Sequence, residues 1–152
     1  MLEPSVPFVR VRVTVVLRHA DGRLCFVRHL KQGRRYWLLP GGGQQPFEPL
    51  EEAARRELHE ELRISVSGLN FLAMRETMSS AAGRHIQFPI FEAVGPDFST
   101  LEPGVDPRVE GIDFFTAEEL ANRPIFPNME DDLLRLARGE RIAPFRTLDW
   151  VP

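Results

Sequence analysis

The chain has 152 residues, 43% of them apolar, which fits one compact domain over residues 1–152 with a real core and leaves little room for a second. A formal net charge of −3 excludes the strongly basic balance of a nucleic-acid or anionic-membrane binder, so a phosphate-bearing ligand has to be met by local charges or by metal ions. The single cysteine, Cys25, excludes an internal disulfide and fits a reducing cytoplasmic compartment, while no apolar run is long enough to span a bilayer and residues 1–7 lack a basic region followed by a hydrophobic one.

In chain order, residues 8–17 alternate, with Val9, Val11, Val13 and Val15 on one side and Arg10, Arg12 and Thr14 on the other, which predicts a strand with one buried face. Ala20, Asp21 and Gly22 mark a turn into a second apolar run, residues 23–28, and together they read as a β-hairpin. Cys25 lies between apolar neighbours and reads as a buried small hydrophobe rather than a nucleophile. A basic loop follows over residues 29–35, then a short strand over 37–39 that runs into Gly41, Gly42 and Gly43. Residues 50–62 contain no Gly or Pro and are strong helix formers, with Glu52, Arg56 and Glu60 spaced for ion pairs. Residues 65–74 and 85–94 read as strands around a polar turn containing Ser79, Ser80 and Gly83. Residues 97–109 read as an irregular loop, and residues 112–115 as a short strand. Thr116 to Glu119 spells a capping box that opens a short helix. Asn128 is placed to cap a last helix over 129–137, and residues 141–152 carry no assignment. Strands around a central helix, with more helix at the end, predict an α/β fold: a mixed sheet with helices on both faces, an α/β/α sandwich.

The chemistry concentrates in the glycines and the helix after them. On a helical projection Leu50, Ala53, Ala54, Leu58 and Leu62 share one side, and Arg55, Arg56, His59 and Arg63 face solvent. Glu57 and Glu61 are one turn apart on or next to the apolar side, with Glu60 beside them. Acids near a partly buried face are costly to desolvate and repel one another, by roughly 4 kcal/mol for two charges about 4 Å apart in a surface-like dielectric. A hard divalent cation resolves the conflict, because Mg²⁺ takes oxygen ligands and keeps waters that a phosphate can replace. The backbone of Gly41, Gly42 and Gly43 can approach a ligand closely, with amides for phosphate oxygens and carbonyls for a metal.

These residues resemble the signature of the Nudix hydrolases: a Gly, five residues, a Glu, seven residues, then Arg-Glu-hydrophobic-any-Glu-Glu-any-Gly-hydrophobic. Here it reads Gly42, Glu48, Arg56, Glu57, Leu58, Glu60 and Glu61, with Arg63 where the family has glycine, then Ile64. The resemblance implies a Nudix-like fold and a pyrophosphohydrolase acting on a diphosphate bond in a nucleoside diphosphate linked to another moiety, an ADP-ribose-like compound or a nucleoside triphosphate. It implies Glu57, Glu60, Glu61 and the carbonyl of Gly42 as ligands of Mg²⁺ or Mn²⁺, and attack of a metal-activated water on phosphorus. Arg56 would orient Glu57 or its neighbours, and Glu48 would hold the preceding segment against the helix through Arg56. The general base stays open among Glu57, Glu61 and a downstream acid, Glu110, with Asp106 as a rival. Three departures matter. Arg63 replaces the glycine of a left-handed turn, Gln45 removes a carboxylate, and Phe47 implies a different path for the segment before the helix.

Lys31, Arg34 and Arg35 are candidates for substrate phosphates, and Tyr36, Trp37 and Phe47 for stacking on a base, with packing the first reading of Trp37. His19, His29 and His59 read as surface residues, and His85 as a residue that can line the cleft. No histidine pair has zinc-like spacing. The expected partner is a nucleotide-like small molecule, with no specific nucleic-acid or membrane binding, and relatives imply a homodimer. Two readings compete with hydrolysis. One is a ligand-binding regulatory domain that keeps the fold without turnover. The other is an isomerase of diphosphate esters, which calls for a cysteine in the cleft.

Overall fold

The computed structural model describes residues 8–151, so the N-terminal stretch read above for a leader lies outside them. Eight strands appear among these residues: β1 (Arg10–Val16), β2 (Leu24–Lys31), β3 (Arg34–Leu38), β4 (Gly41–Gly43), β5 (Gly68–Ser79), β6 (Arg84–Val94), β7 (Val109–Phe115) and β8 (Phe145–Leu148). They are joined by helices α1 (Leu50–Leu62), α2 (Ala117–Leu120) and α3 (Glu130–Ala137). The strands divide between a mixed five-stranded sheet, in the order β4-β1-β6-β5-β8, and a three-stranded antiparallel sheet, β3-β2-β7.

Two apolar layers flank the strands. Val13, Val15, Leu17, Cys25 and Val27 pack with Ala53, Ala54, Leu58 and Leu62 of α1. Their alternate neighbours Val16, Leu24 and Phe26 pack with Leu120 of α2, Leu133 and Leu136 of α3, and Met129 just before α3. Helices therefore lie on both sides of the strands, as the α/β/α expectation holds. The second half of β1 is buried on both faces, Thr14 included, where the alternation had predicted one solvated side. Cys25 is fully buried and burial raises its thiol, so it is a packing residue and not the cleft cysteine an isomerase needs.

The structure corrects several sequence expectations. The expected hairpin forms next to its turn, where the His19 amide donates to the Arg23 carbonyl, the Cys25 amide donates to the Leu17 carbonyl and Arg18 bridges antiparallel to Leu24, but β1 and β2 then part into different sheets. A longer hairpin is β2–β3. Residues 29–35, read as a basic loop, extend both strands around Gln32 and Gly33, whose positive φ values of 51° and 76° suit a two-residue turn. The glycines are also strand: β4 pairs with β1, Val13 opposite Gly42. Asn128 does not cap α3, which starts after Met129 without a side-chain cap. The unassigned tail supplies β8, parallel to β5.

Helix α1 begins and ends as predicted. Arg63 adopts the left-handed conformation itself (φ 58°), and its amide donates to the His59 carbonyl, so the turn survives without the glycine. Arg63→Gly is expected to raise the unfolding free energy by up to about 1 kcal/mol, the left-handed strain relieved less the entropy of a freer unfolded chain. Denaturant melts read this difference directly. Beyond Arg63, the segment before β7 closes the helix end. The amides of Glu102 and Gly104 donate to the carbonyls of Leu62 and Glu61, and Thr100 Oγ1 donates to that of Arg63. Gly104 lies so close that a β-carbon there would overlap the Glu60 carbonyl.

Candidate active site

Pairing of β4 with β1 lays the glycines along α1. A β-carbon at Gly42 would overlap the Glu57 carboxylate, so only glycine leaves room for that acid. The Gly41 amide donates to Glu61 Oε1 at 2.8 Å, and the Gly41 carbonyl accepts from Arg12 Nη2 at 3.3 Å. Gly41 thus stands between an acid of the helix and a guanidinium of β1.

Arg56 organises the outer part. Its Nε and Nη2 donate to the two Glu48 oxygens at 2.7 and 2.9 Å, Nη1 to Glu57 Oε1 at 2.8 Å and Glu60 Oε2 at 3.2 Å, and Nη2 also to the Gly43 carbonyl at 2.9 Å. Glu48 accepts the Gln45 amide as well. These contacts hold the carboxyl of Glu48 down at about 2, and they pin the turn before α1. Phe47, in that turn, takes a left-handed φ of 63° and is fully exposed. It needs no different path, because it accepts the conformation that suits a glycine.

Glu57 and Glu61 carry the unusual electrostatics. Glu61 is 4% exposed, and burial pushes its carboxyl up to about 7 against the pull of Arg12 and the Gly41 amide. Burial also raises Glu57, against its hydrogen bond from Arg56. The two acids in turn hold up the Arg12 guanidinium, which burial lowers. Oxygen donors that burial destabilises, with a glycine where a side chain would fill the space, suit a hard divalent cation. Among the described residues no three His, Cys, Asp or Glu side chains converge into a ready-made cage. Glu60 is exposed and turned to Arg56, leaving Glu57 and Glu61 as the inner pair. That fits Mg²⁺, which is commonly held by one or two carboxylates with waters and substrate phosphates completing the shell.

The other candidates lie apart from this pair. Lys31 and Arg34 form the exposed end of the β2–β3 hairpin. Arg35 donates to both oxygens of Glu110, at 2.8 and 2.9 Å, and Arg28 adds a third bond at 3.1 Å. Those partners lower the Glu110 carboxyl, led by Arg35. Trp37 is half-buried and donates to Asp113. His85 sits on the β5–β6 pair against Glu76. His29 is not a surface residue: β2 runs on past it to pair with Val109 of β7, leaving it 6% exposed. Sequence reading also placed Arg12 on a solvated face, and Arg108 went unremarked.

Gly42→Ala is expected to lower turnover at least about 100-fold, because the new methyl displaces a charged group from its position. Circular dichroism should show the fold retained, and an activity loss under about threefold would remove Glu57 from the site.

The family description that matches the chain is the NUDIX domain, over residues 9–136. Over 66 residues, 43% of this chain and 38% of the relative, it is 46% identical to an RNA pyrophosphohydrolase of Caulobacter vibrioides. Over 70 residues, 46% and 44% of the two chains, it is 37% identical to the phosphatase NudJ of Escherichia coli. The chain thus spans about two fifths of the length of the curated relatives it matches. The crystal structure of a MutT NUDIX hydrolase from Burkholderia pseudomallei superposes with a TM-score of 0.71 at 25% identity, covering 85% of this chain and 98% of that one. A match over most of the length, falling on the helix and glycine strand that carry the acids, places the chain in the Nudix family.

Proposed function

We propose that this protein hydrolyses a diphosphate bond in a nucleoside diphosphate linked to another moiety, acting as one domain and dependent on a divalent metal. The observation that carries the reading is the inner acid pair, half-buried Glu57 and buried Glu61, set against β4 with Arg12 on the far side of Gly41. Glu57 and Glu61, joined by Glu60 once it leaves Arg56, are the residues that would hold Mg²⁺, with Mn²⁺ the alternative ion. Such an ion supplies charge neutralisation for the diphosphate oxygens.

The protein's own groups do the rest. Arg56 fixes Glu57 by a charge-assisted hydrogen bond, and Glu48 fixes Arg56. Glu61, seated beside Gly41 with one oxygen engaged by its amide, is our choice as acceptor of the proton that water loses as its oxygen bonds to phosphorus and the bridging P–O bond breaks. Glu110 ranks below it, since both its oxygens are already engaged by Arg35 and Arg28.

The test is product release from a panel of nucleoside di- and triphosphate derivatives, with Mg²⁺, with Mn²⁺ and with chelator. An RNA bearing a 5′-triphosphate belongs in the panel, given the identity with an RNA pyrophosphohydrolase. Metal-dependent cleavage of one or a few compounds is expected. Binding of a compound without turnover of any would replace hydrolysis by the regulatory-domain reading.

A further inference from the structure

Part of one face of the five-stranded sheet is open. On β5 the side chains of Ala73, Arg75 and Thr77 are buried on the side of α3, so Met74, Glu76 and Met78 point the other way, toward the side that α1 occupies. Phe71 joins them across the bulge in β5, since it stands edge-on to Phe91 of the α1 core. Register extends the face to both neighbouring strands. His85 and Gln87 of β6 lie opposite Met78 and Glu76, and Phe145 and Thr147 of β8 lie opposite Met74 and Glu76. Helix α1 packs on β4 and β1, and Phe71 and Phe145 are left 57% and 56% exposed.

Parallel strand pairs are normally covered on both faces, and this face includes two of them, β1–β6 and β5–β8. Its one acid, Glu76, has both oxygens engaged, by His85 Nε2 and by Thr147 Oγ1, each at 3.3 Å. No Lys or Arg of β5, β6 or β8 points this way. A polyanion, a charged peptide or an anionic lipid surface therefore finds no counter-charge here. A second apolar sheet face does fit, by the aligned stacking of two sheets about 10 Å apart. Strands about 4.8 Å apart that rise about 3.3 Å per residue make a patch four strands wide and six residues long roughly 19 by 20 Å. Two such patches together bury on the order of 1,000 Å², enough for a weak but specific dimer.

We propose that this face is a self-association surface, joining two copies of the chain about a twofold axis with β5 and β8 of one against β5 and β8 of the other. An isologous contact sets the patch against its own copy, so the apolar side chains of both are covered at once. Phe71 and Phe145 are the anchors. The surface lies toward the opposite edge of the sheet from β4, so it stands or falls independently of the hydrolase reading.

Sedimentation equilibrium of the whole protein over a wide concentration range is the test. The mass should rise from one chain to two with a dissociation constant on the order of micromolar, and Phe71→Lys and Phe145→Glu should each weaken it at least about tenfold by placing a charge in the contact. Both side chains are mostly exposed in the single chain, so the variants keep the fold, which circular dichroism checks, and either variant alone is sufficient. Val105→Lys, at an exposed apolar residue outside the face, should associate like the wild type. A monomer throughout, or a dimer that both substitutions leave intact, overturns the proposal. Flotation with neutral phosphatidylcholine vesicles covers the other occupant. A wild type that is monomeric in solution and floats with the lipid, while both variants stay behind, assigns the face to a membrane instead.

Discussion

Glu61→Gln is expected to lower kcat by about 10²–10⁴-fold while making the metal-free protein more stable at alkaline pH. The loss follows from removing a proposed metal ligand that is also the proposed acceptor of the water proton. The gain follows from linkage. The folded carboxyl titrates near 7, above its ordinary value, so the folded state binds more protons than the unfolded state between about 4.5 and 7. Stability therefore falls as pH rises through that window, and the wild type carries the full cost above it. Glutamine keeps an oxygen for the Gly41 amide and removes the charge, so the variant should gain on the order of 2–3 kcal/mol at pH 8 in chelator. Near pH 4 the two proteins should melt together. Added Mg²⁺ should raise the melting temperature of the wild type and do little for the variant, because only a ligand that binds the folded state shifts its stability. Equal melting of both proteins at pH 8 in chelator would mean that Glu61 is not a strained acid.

Asp132→Ala is expected to cost about 3–5 kcal/mol. Arg75 is fully buried and donates Nε and Nη2 to the two Asp132 oxygens at 2.7 and 3.0 Å. Removing the acid leaves a guanidinium in the interior with only the Met74 carbonyl as an acceptor among the described residues. Arg146 also donates to Asp132, at 3.2 Å, but is half in solvent, so Arg146→Met should cost under about 1 kcal/mol. The double change Arg75→Met with Asp132→Leu should recover most of the loss, since a packed apolar pair replaces the ion pair without stranding a charge. Urea unfolding of the wild type and the three variants gives the comparison, and a loss below about 1 kcal/mol for Asp132→Ala would mean that water reaches Arg75.

The helix and its acids were legible because both depend on local rules: α1 has a strong helical composition, and spacing along a helix fixes which side each acid takes. What stayed hidden depends on pairing between distant segments. Nothing in residues 10–16 says that Arg12 will sit across from Gly43 rather than in solvent. His29 looked like a charge-flanked surface residue because its burial is imposed by β7, 80 positions later in the pairing His29–Val109. The tail could not be read for the same reason. Residues 145–148 form a strand only because β5 offers a free edge, and three of the four are exposed. Arg75 sat in a segment read correctly as strand, but its partner is 57 positions away on α3.

The contact at Gly104 limits where this chain can be lengthened. The segment that closes the end of α1 runs on through the exposed Asp106–Arg108 pair to β7. A lineage or an engineer lengthening that segment before Gly104 would lift the cap from the acid helix and lose activity with stability. Residues 105–108, between the anchor and β7, are where insertions can be taken up while the cap and the acids keep their register.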